Sequence, residues 1–176
     1  MYSKDSFYVF CASSSDLDAS NTDVNFATPL AKRVFLEGEW EVGVVEILIP
    51  GNRDASELYL DPENPIIYPA NQQFFQLRKE IEQNDRIYNE EPGINYALLC
   101  DLVEPSLAFG GYMQILRQVP AQRTSFFETY KNIHYFRVIQ KNFDSIRIKI
   151  ETQSGNVPDL KGGLSQVGLH FRRVDG

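Results

Sequence analysis

A chain of 176 residues, 43% hydrophobic and 23% charged, has the length and composition of one soluble globular domain, expected to span residues 1–176. Its 17 basic and 24 acidic residues leave a net charge of -7, which disfavours direct nucleic acid binding and a genome-packaging role. No apolar run approaches the roughly 20 residues of a membrane span, and the opening MYSKDSFYVFC lacks the basic and apolar regions of a secretion signal.

In chain order, Phe7-Tyr8-Val9-Phe10-Cys11 has the aromatic and β-branched content of a strand, and the polar stretch from Ser13 to Asp23 reads as a loop. Val24, Phe26 and Leu30 follow, then the clearest strand, Trp40 to Ile49, stopped by Pro50-Gly51. Strict alternation there puts Trp40, Val42, Val44 and Glu46 on one face and Val45, Ile47 and Ile49 on the other, so a strand apolar on both faces over part of its length is expected, as inside a packed sandwich. A buried Glu46 would need a partner, for which Arg117 is the candidate.

Residues 50–72, with four prolines, read as a long loop holding at most a short strand at Ile66-Ile67-Tyr68. Residues 73–84 fit either state. Phe74, Leu77 and Ile81 have helical spacing, Phe75 and Leu77 would pair on a strand, and the all-β context favours the strand. Clear strands return at 96–103, ended by Pro105, and at 112–119, ended by Pro120. Along 143–151, Ile146, Ile148 and Ile150 face inward while Arg147, Lys149 and Glu151 face water; the last strand, 165–173, places Val167, Leu169 and Phe171 inside. Eight or nine strands with polar connections and no clear helix predict an all-β fold, a two-sheet sandwich of the single jelly-roll kind.

Catalytic patterns are scarce. Cys11 and Cys100 lie in apolar runs and are expected to be buried thiols rather than a disulfide. His134 and His170 belong to no metal-spaced cluster, and two histidines cannot supply the ligand set of a metal-dependent enzyme on this fold. Asp101 and Glu104, three apart in or beside a strand, point to opposite faces. Glu37, Glu39 and Glu41 share a face but read as a solvated strand entrance, as do the short basic clusters Lys32-Arg33, Arg147 with Lys149, and Arg172-Arg173. Neither an enzyme nor a cofactor is expected.

Three ordered blocks carry a resemblance: GEWEVGVVEILIP (38–50), YALLCDLVEPSLAFGGYMQILRQVP (96–120) and FDSIRIKIETQSGNVPDLKGGLSQVGLHFRR (143–173). Together with the opening FYVF strand and its Ser-rich loop, they resemble the penton, or minor capsid, proteins of Polinton/Maverick elements and adintovirus-like viruses. The departures fall at Ser106-Leu107-Ala108-Phe109-Gly110-Gly111, where that family commonly has Val-Gly-Asp after Glu-Pro-Gln, and at Pro158-Asp159-Leu160, where Pro-Phe is usual.

The resemblance implies a capsid protein assembling as a homopentamer at icosahedral vertices of the virion, beside a double jelly-roll major capsid protein, with assembly inside the host cell. A ring closes through a heterologous contact, for an ordinary interface about 1,200–2,000 Å² per pair. Aromatics outside the obvious core strands are the candidate oligomer-interface residues: Tyr59, Tyr68, Phe109, Phe126, Phe127, Tyr130 and Tyr135. Each could instead anchor its loop to the core. The rival reading is a β-sandwich module that binds a glycan or receptor, weakened by a sole tryptophan, Trp40, that reads as buried; a vertex protein could also bind a host receptor or fibre.

Overall fold

The computed structural model describes residues 5–15, 21–51, 95–108, 110–122, 124–152, 155–160 and 162–174. The expectations for 66–68 and 73–84, and for Tyr59, Tyr68 and Phe109, lie outside the described residues. Those residues form eleven strands: β1 (Ser6–Ala12), β2 (Asn25–Phe35), β3 (Trp40–Ile49), β4 (Asn95–Cys100), β5 (Ser106–Ala108), β6 (Gly111–Met113), β7 (Ile115–Pro120), β8 (Phe126–Thr129), β9 (Tyr135–Arg137), β10 (Asn142–Thr152) and β11 (Gln166–Arg173). One 3-10 turn, Ser13–Ser15, follows β1.

The pairing is that of one long antiparallel hairpin rolled up. β1 pairs with β11, β2 with β10, β3 with β8 and β9, and β4 with β7. Two further pairings, β11 with β3 and β10 with β4, curl this ladder into facing sheets. Sheet A runs β1-β11-β3, with β8 and then β9 along the far edge of β3; sheet B runs β2-β10-β4-β7, and β5 and β6 form a separate hairpin.

Alternation builds the core. Ile146, Ile148 and Ile150 of β10 and Val167, Leu169 and Phe171 of β11 are fully buried, on the faces expected for them. They meet Phe26, Tyr96, Leu98, Leu102 and Leu116 between the sheets. Cys11 and Cys100 are free and buried as expected. Burial pushes the Cys11 thiol up to about 12 and raises that of Cys100 as well, so neither presents a thiolate near neutral pH.

Strict alternation fails in β3. Leu169 pairs with Val44 and Gly168 with Glu46, so Val45 is an extra residue, a β-bulge. Across it the inward face changes parity. Trp40, Val42, Val44, Ile47 and Ile49 are all buried on one side, and Glu46 leaves the face of Trp40, Val42 and Val44. The strand therefore buries one face in the core, while Val45 and Leu48 are half-buried on the other beside Glu41 and Glu46. Arg117 lies on the other sheet, its guanidinium 3.3 Å over the Tyr130 ring and donating to the Asn132 carbonyl.

Two more expectations are revised. The 96–103 run stops as a strand at Cys100, where Asp101 and Leu102 turn, and the 112–119 run is split at Gln114. Gln114 holds that corner: its side-chain amide donates to the carbonyls of Asp101 (3.2 Å) and Val103 (3.0 Å), and its carbonyl accepts from the Cys100 N–H. Residues 126–129 and 135–137, read above as loop aromatics, form β8 and β9.

The start of β11 is tied to the β1–β2 connection by Ser165, which is fully buried. Its hydroxyl donates to the Asp23 carbonyl, its N–H donates to Ser13 Oγ at 3.0 Å, and its carbonyl accepts from the Ser13 N–H. Replacing Ser165 with alanine removes a buried donor and leaves the Asp23 carbonyl short of it. We expect a loss of about 1–2 kcal/mol in urea unfolding, with the denaturant dependence unchanged.

Candidate functional site

Because Phe7, Val9 and Cys11 face the core, Tyr8 and Phe10 are turned to the outer face of sheet A, where they are 59% and 52% exposed. Register carries this row across the sheet: Tyr8 lies opposite His170, His170 opposite Gly43, and Gly43 opposite Tyr135. The Tyr8 and His170 rings are 4.5 Å apart. Since Gly43 has no side chain, Tyr135 Oη reaches across it to within 2.8 Å of His170 Nδ1. The next row is charged. Arg172 lies 3.6 Å over the Tyr135 ring and donates to Glu41, while Glu39 takes Arg137 and Lys141. The hydrogen bond from Lys141, first, and the Arg137 charge hold the Glu39 carboxyl below its usual range.

Burial, and then the Arg172 charge, lower the pKa of His170. The imidazolium is disfavoured in the folded protein, so between the depressed pKa and the ordinary value near 6.5 the unfolded chain binds more protons. The contribution is present in full above about pH 6.5 and is lost as pH falls toward the folded-state value. The stability difference between the native chain and a His170→Asn variant, from urea unfolding at pH 7.5 and pH 5, should therefore shift against the native chain at the lower pH. Equal differences at both pH values would contradict this.

Of the interface candidates, Phe126, Phe127, Tyr130 and Tyr135 come together along the β8/β9 edge of sheet A. Phe126 and Tyr130 pack partly against the core, Tyr135 is half-buried over β3, and Phe127 is exposed. Tyr130 donates from its hydroxyl to Glu128 at 3.1 Å; burial first, then the Glu128 charge, pushes the phenol up to about 12. Exposed apolar side chains not singled out from the sequence as interface candidates include Tyr8, Phe10, Phe35 at the end of β2, and the cross-strand pair Leu107 and Tyr112 of the β5–β6 hairpin. In β1 both faces are equally apolar, so alternation alone could not say which would remain outside.

On the outer face of sheet B, below the β5–β6 hairpin, Leu99, Asp101, Tyr112, Met113, Arg147 and Glu151 line a groove of about 440 Å³. Its polar groups are engaged. Asp101 accepts from the Arg147 N–H at 3.0 Å while burial raises its pKa, Arg147 donates to Asn25, and Lys149 pairs with Glu151. Glu104, on the solvent side of the turn, is exposed. Among the described residues no three His, Cys, Asp or Glu side chains converge where they could hold a metal ion, and no helix is long and apolar enough to cross a membrane.

Two four-strand paths facing each other, joined as a rolled-up hairpin, define a single jelly-roll β-sandwich. Among solved structures the chain is similar to the mavirus penton protein, seen in a crystal structure of its selenomethionine-labelled form. The likeness covers 96% of this chain and 100% of that one, with a TM-score of 0.57 and 10% sequence identity. At that identity it establishes the fold, and it agrees with the penton resemblance carried by the three sequence blocks. No protein-family model matches the chain, and no curated protein matches it in sequence.

Proposed function

We propose that this chain is a penton-type capsid protein of the Polinton/Maverick kind, one jelly-roll domain over residues 1–176, that forms homopentamers at the icosahedral vertices of a virion. The observation that carries the reading is the likeness in fold to a penton protein over the whole of that chain. The three ordered sequence blocks support it independently. In this reading the double jelly-roll major capsid protein surrounds the pentamer, assembly takes place in the host cell, and the chain has no catalytic role.

A closed ring needs two different flanks that meet. The β8/β9 edge offers one, with Phe127 exposed beside Phe126, Tyr130 and Tyr135, and the β1/β2 side offers aromatic surface for the other at Tyr8, Phe10 and Phe35. Tyr59, Tyr68 and Phe109 complete the set of proposed contacts.

Light scattering across a concentration series tests the assignment. A species of about five times 20.2 kDa, imaged as closed five-fold rings, is the expected result. A strict monomer that also fails to enter shells when co-expressed with the matching major capsid protein would overturn it.

A further inference from the structure

β8 and β9, four and three residues long, hang one after the other on the same edge of β3. The connection between them, residues 130–134, crosses to the outer face of sheet A, where Ile133 and the His134 carbonyl rest on Gly43. Together they make a strap. Ladders this short supply few bonds, and Tyr130 and Phe136 pack against the core only in part, so the strap belongs to the elements that open at least cost. Its backbone is tied at either end: the Tyr130 N–H donates to the Val45 carbonyl and the Val138 N–H to the Trp40 carbonyl, both at 2.8 Å. Between these ties Tyr135 reaches across β3, its Oη 2.8 Å from His170 Nδ1 on β11. A phenol donates better than it accepts, which suits a neutral imidazole that accepts at Nδ1 and carries its proton at Nε2.

The surroundings of His170 disfavour a second proton on that ring. From β1 comes the Tyr8 ring, at 4.5 Å; from β11 comes Arg172, whose guanidinium stacks on the same Tyr135 ring at 3.6 Å; and β9 adds Arg137, held by Glu39. Of the β3 carboxylates, Glu41 already takes two hydrogen bonds from Arg172, at 2.8 and 3.1 Å, and Glu46 extends over Gly168 beside Phe10, one row away. The connection carries Lys131 and His134. A proton on Nδ1 would displace the Tyr135 donor and set a second cation beside the guanidinium stacked on its ring. Burial, and then Arg172, lowers the His170 pKa in keeping with this.

We infer that Tyr135 and His170 form an acid-released latch: while His170 is neutral their hydrogen bond holds the β8–β9 strap on sheet A, and protonation of His170 frees the strap to lift locally. Lifting Tyr135 returns one side of the imidazole to water, so the open strap binds a proton that the closed one disfavours. Opening is therefore unaffected well above the ordinary histidine value of about 6.5 and grows as pH falls through it toward the depressed value of the closed form. Gly43 is the seat of the device, because a strand residue with a side chain there would hold the connection off the sheet and Tyr135 away from His170. The inference does not depend on the capsid reading; under that reading, acid loosens the flank that carries Tyr130 and Tyr135.

Amide hydrogen exchange read by NMR on the full chain tests it, with rates expressed as protection factors at pH 7.5 and pH 5. The reporters are the amides of Tyr130 and of Phe136, the latter turned to β3 by alternation from Val138. Both should lose about threefold or more of their protection at the lower pH. Low urea should leave their exchange unchanged while it accelerates that of Ile150, whose amide is bonded to Val24 inside the sandwich, because local opening exposes little surface. His170→Gln, which can still accept from Tyr135 but cannot take up a proton, should keep its neutral-pH protection at both pH values. Tyr135→Phe should lower protection at pH 7.5 and remove most of the response to acid, and His134→Gln should leave the response intact. No loss of protection with acid in the native chain, the same loss in His170→Gln, or its abolition by His134→Gln would overturn the latch. So would exchange at Tyr130 and Phe136 that rises with urea in step with Ile150, which would mean that the strap opens only when the whole domain unfolds.

Discussion

Phe171→Ala should destabilise the protein by about 3–5 kcal/mol, the range for removing a fully buried aromatic from a core that cannot collapse around the gap. Phe171 is completely buried and lies where the sheets meet. Its ring stacks on Phe7 of the neighbouring strand at 4.7 Å, with 4° between the planes, and on Phe143 of the opposite sheet at 5.9 Å. Phe7 in turn touches Trp40 at 5.6 Å. One truncation therefore strips ring contacts from β1 and β10 together and removes the support of Phe7, on which Trp40 rests. Trp40 is the sole tryptophan, so its fluorescence reports this cluster directly. Urea unfolding followed at Trp40 should show the midpoint falling with the denaturant dependence preserved, while Phe171→Leu, which keeps most of the volume, should cost much less. A loss below about 1 kcal/mol for the alanine variant would mean that the aromatic cluster does not hold the sheets together.

Gly43→Val should cost about as much by the opposite mechanism, overcrowding. Even a Cβ at position 43 would collide with Cγ2 of Ile133 and lie 2.6 Å from the carbonyl oxygen of His134. The second is backbone, so the 130–134 connection between β8 and β9 would have to lift off the sheet. Overpacking of this kind costs typically 1–3 kcal/mol, and valine adds two methyl groups to the clash. Lifting that connection would also draw Tyr135 away from His170. Gly111→Ala is the control, since nothing lies within 4 Å of a Cβ there, and it should stay within about 0.5 kcal/mol of the native chain. Adding Ile133→Ala to the Gly43 variant should recover part of the loss but not all of it, because the His134 carbonyl remains in the way.

These two sites bear on the proposed assembly surface from opposite sides. Phe171 fixes how β1 sits on β11, and so how Tyr8 and Phe10 are presented; Gly43 allows the β8–β9 connection to lie flat, and so positions Tyr135 and its neighbours. A variant at either site that stays folded would be expected to change oligomerisation along with stability. Phe127→Ser would be expected to affect oligomerisation alone, because its side chain is already exposed.

Much of the sandwich was legible in local pattern. In β10 and β11 alternate residues differ sharply in polarity, so Ile146, Ile148, Ile150, Val167, Leu169 and Phe171 could be assigned to the core before any partner strand was known. The blandness of Cys11 and Cys100 followed from their apolar neighbours. The interface aromatics were less accessible. Phe126, Phe127, Tyr130 and Tyr135 stood out as aromatic, but strands of three and four residues are too short to show a period, and β8 and β9 exist because β3 offers them an edge.

What the sequence by itself determined is the all-β character, the main strands from β1 to β11 and the inward residues wherever one face is apolar and the other polar, because a period of two is a property of consecutive residues. What only the tertiary structure decided is facing and closure. The bulge at Val45 reverses the parity of β3 and carries Glu46 out of the core because Gly168 of β11 pairs with it there. The equally apolar faces of β1 were resolved in favour of Phe7, Val9 and Cys11 because the stacking partners Trp40 and Phe171 stand on that side, leaving Tyr8 and Phe10 at an open edge. Such choices are made by residues far apart along the chain, and no local pattern records them.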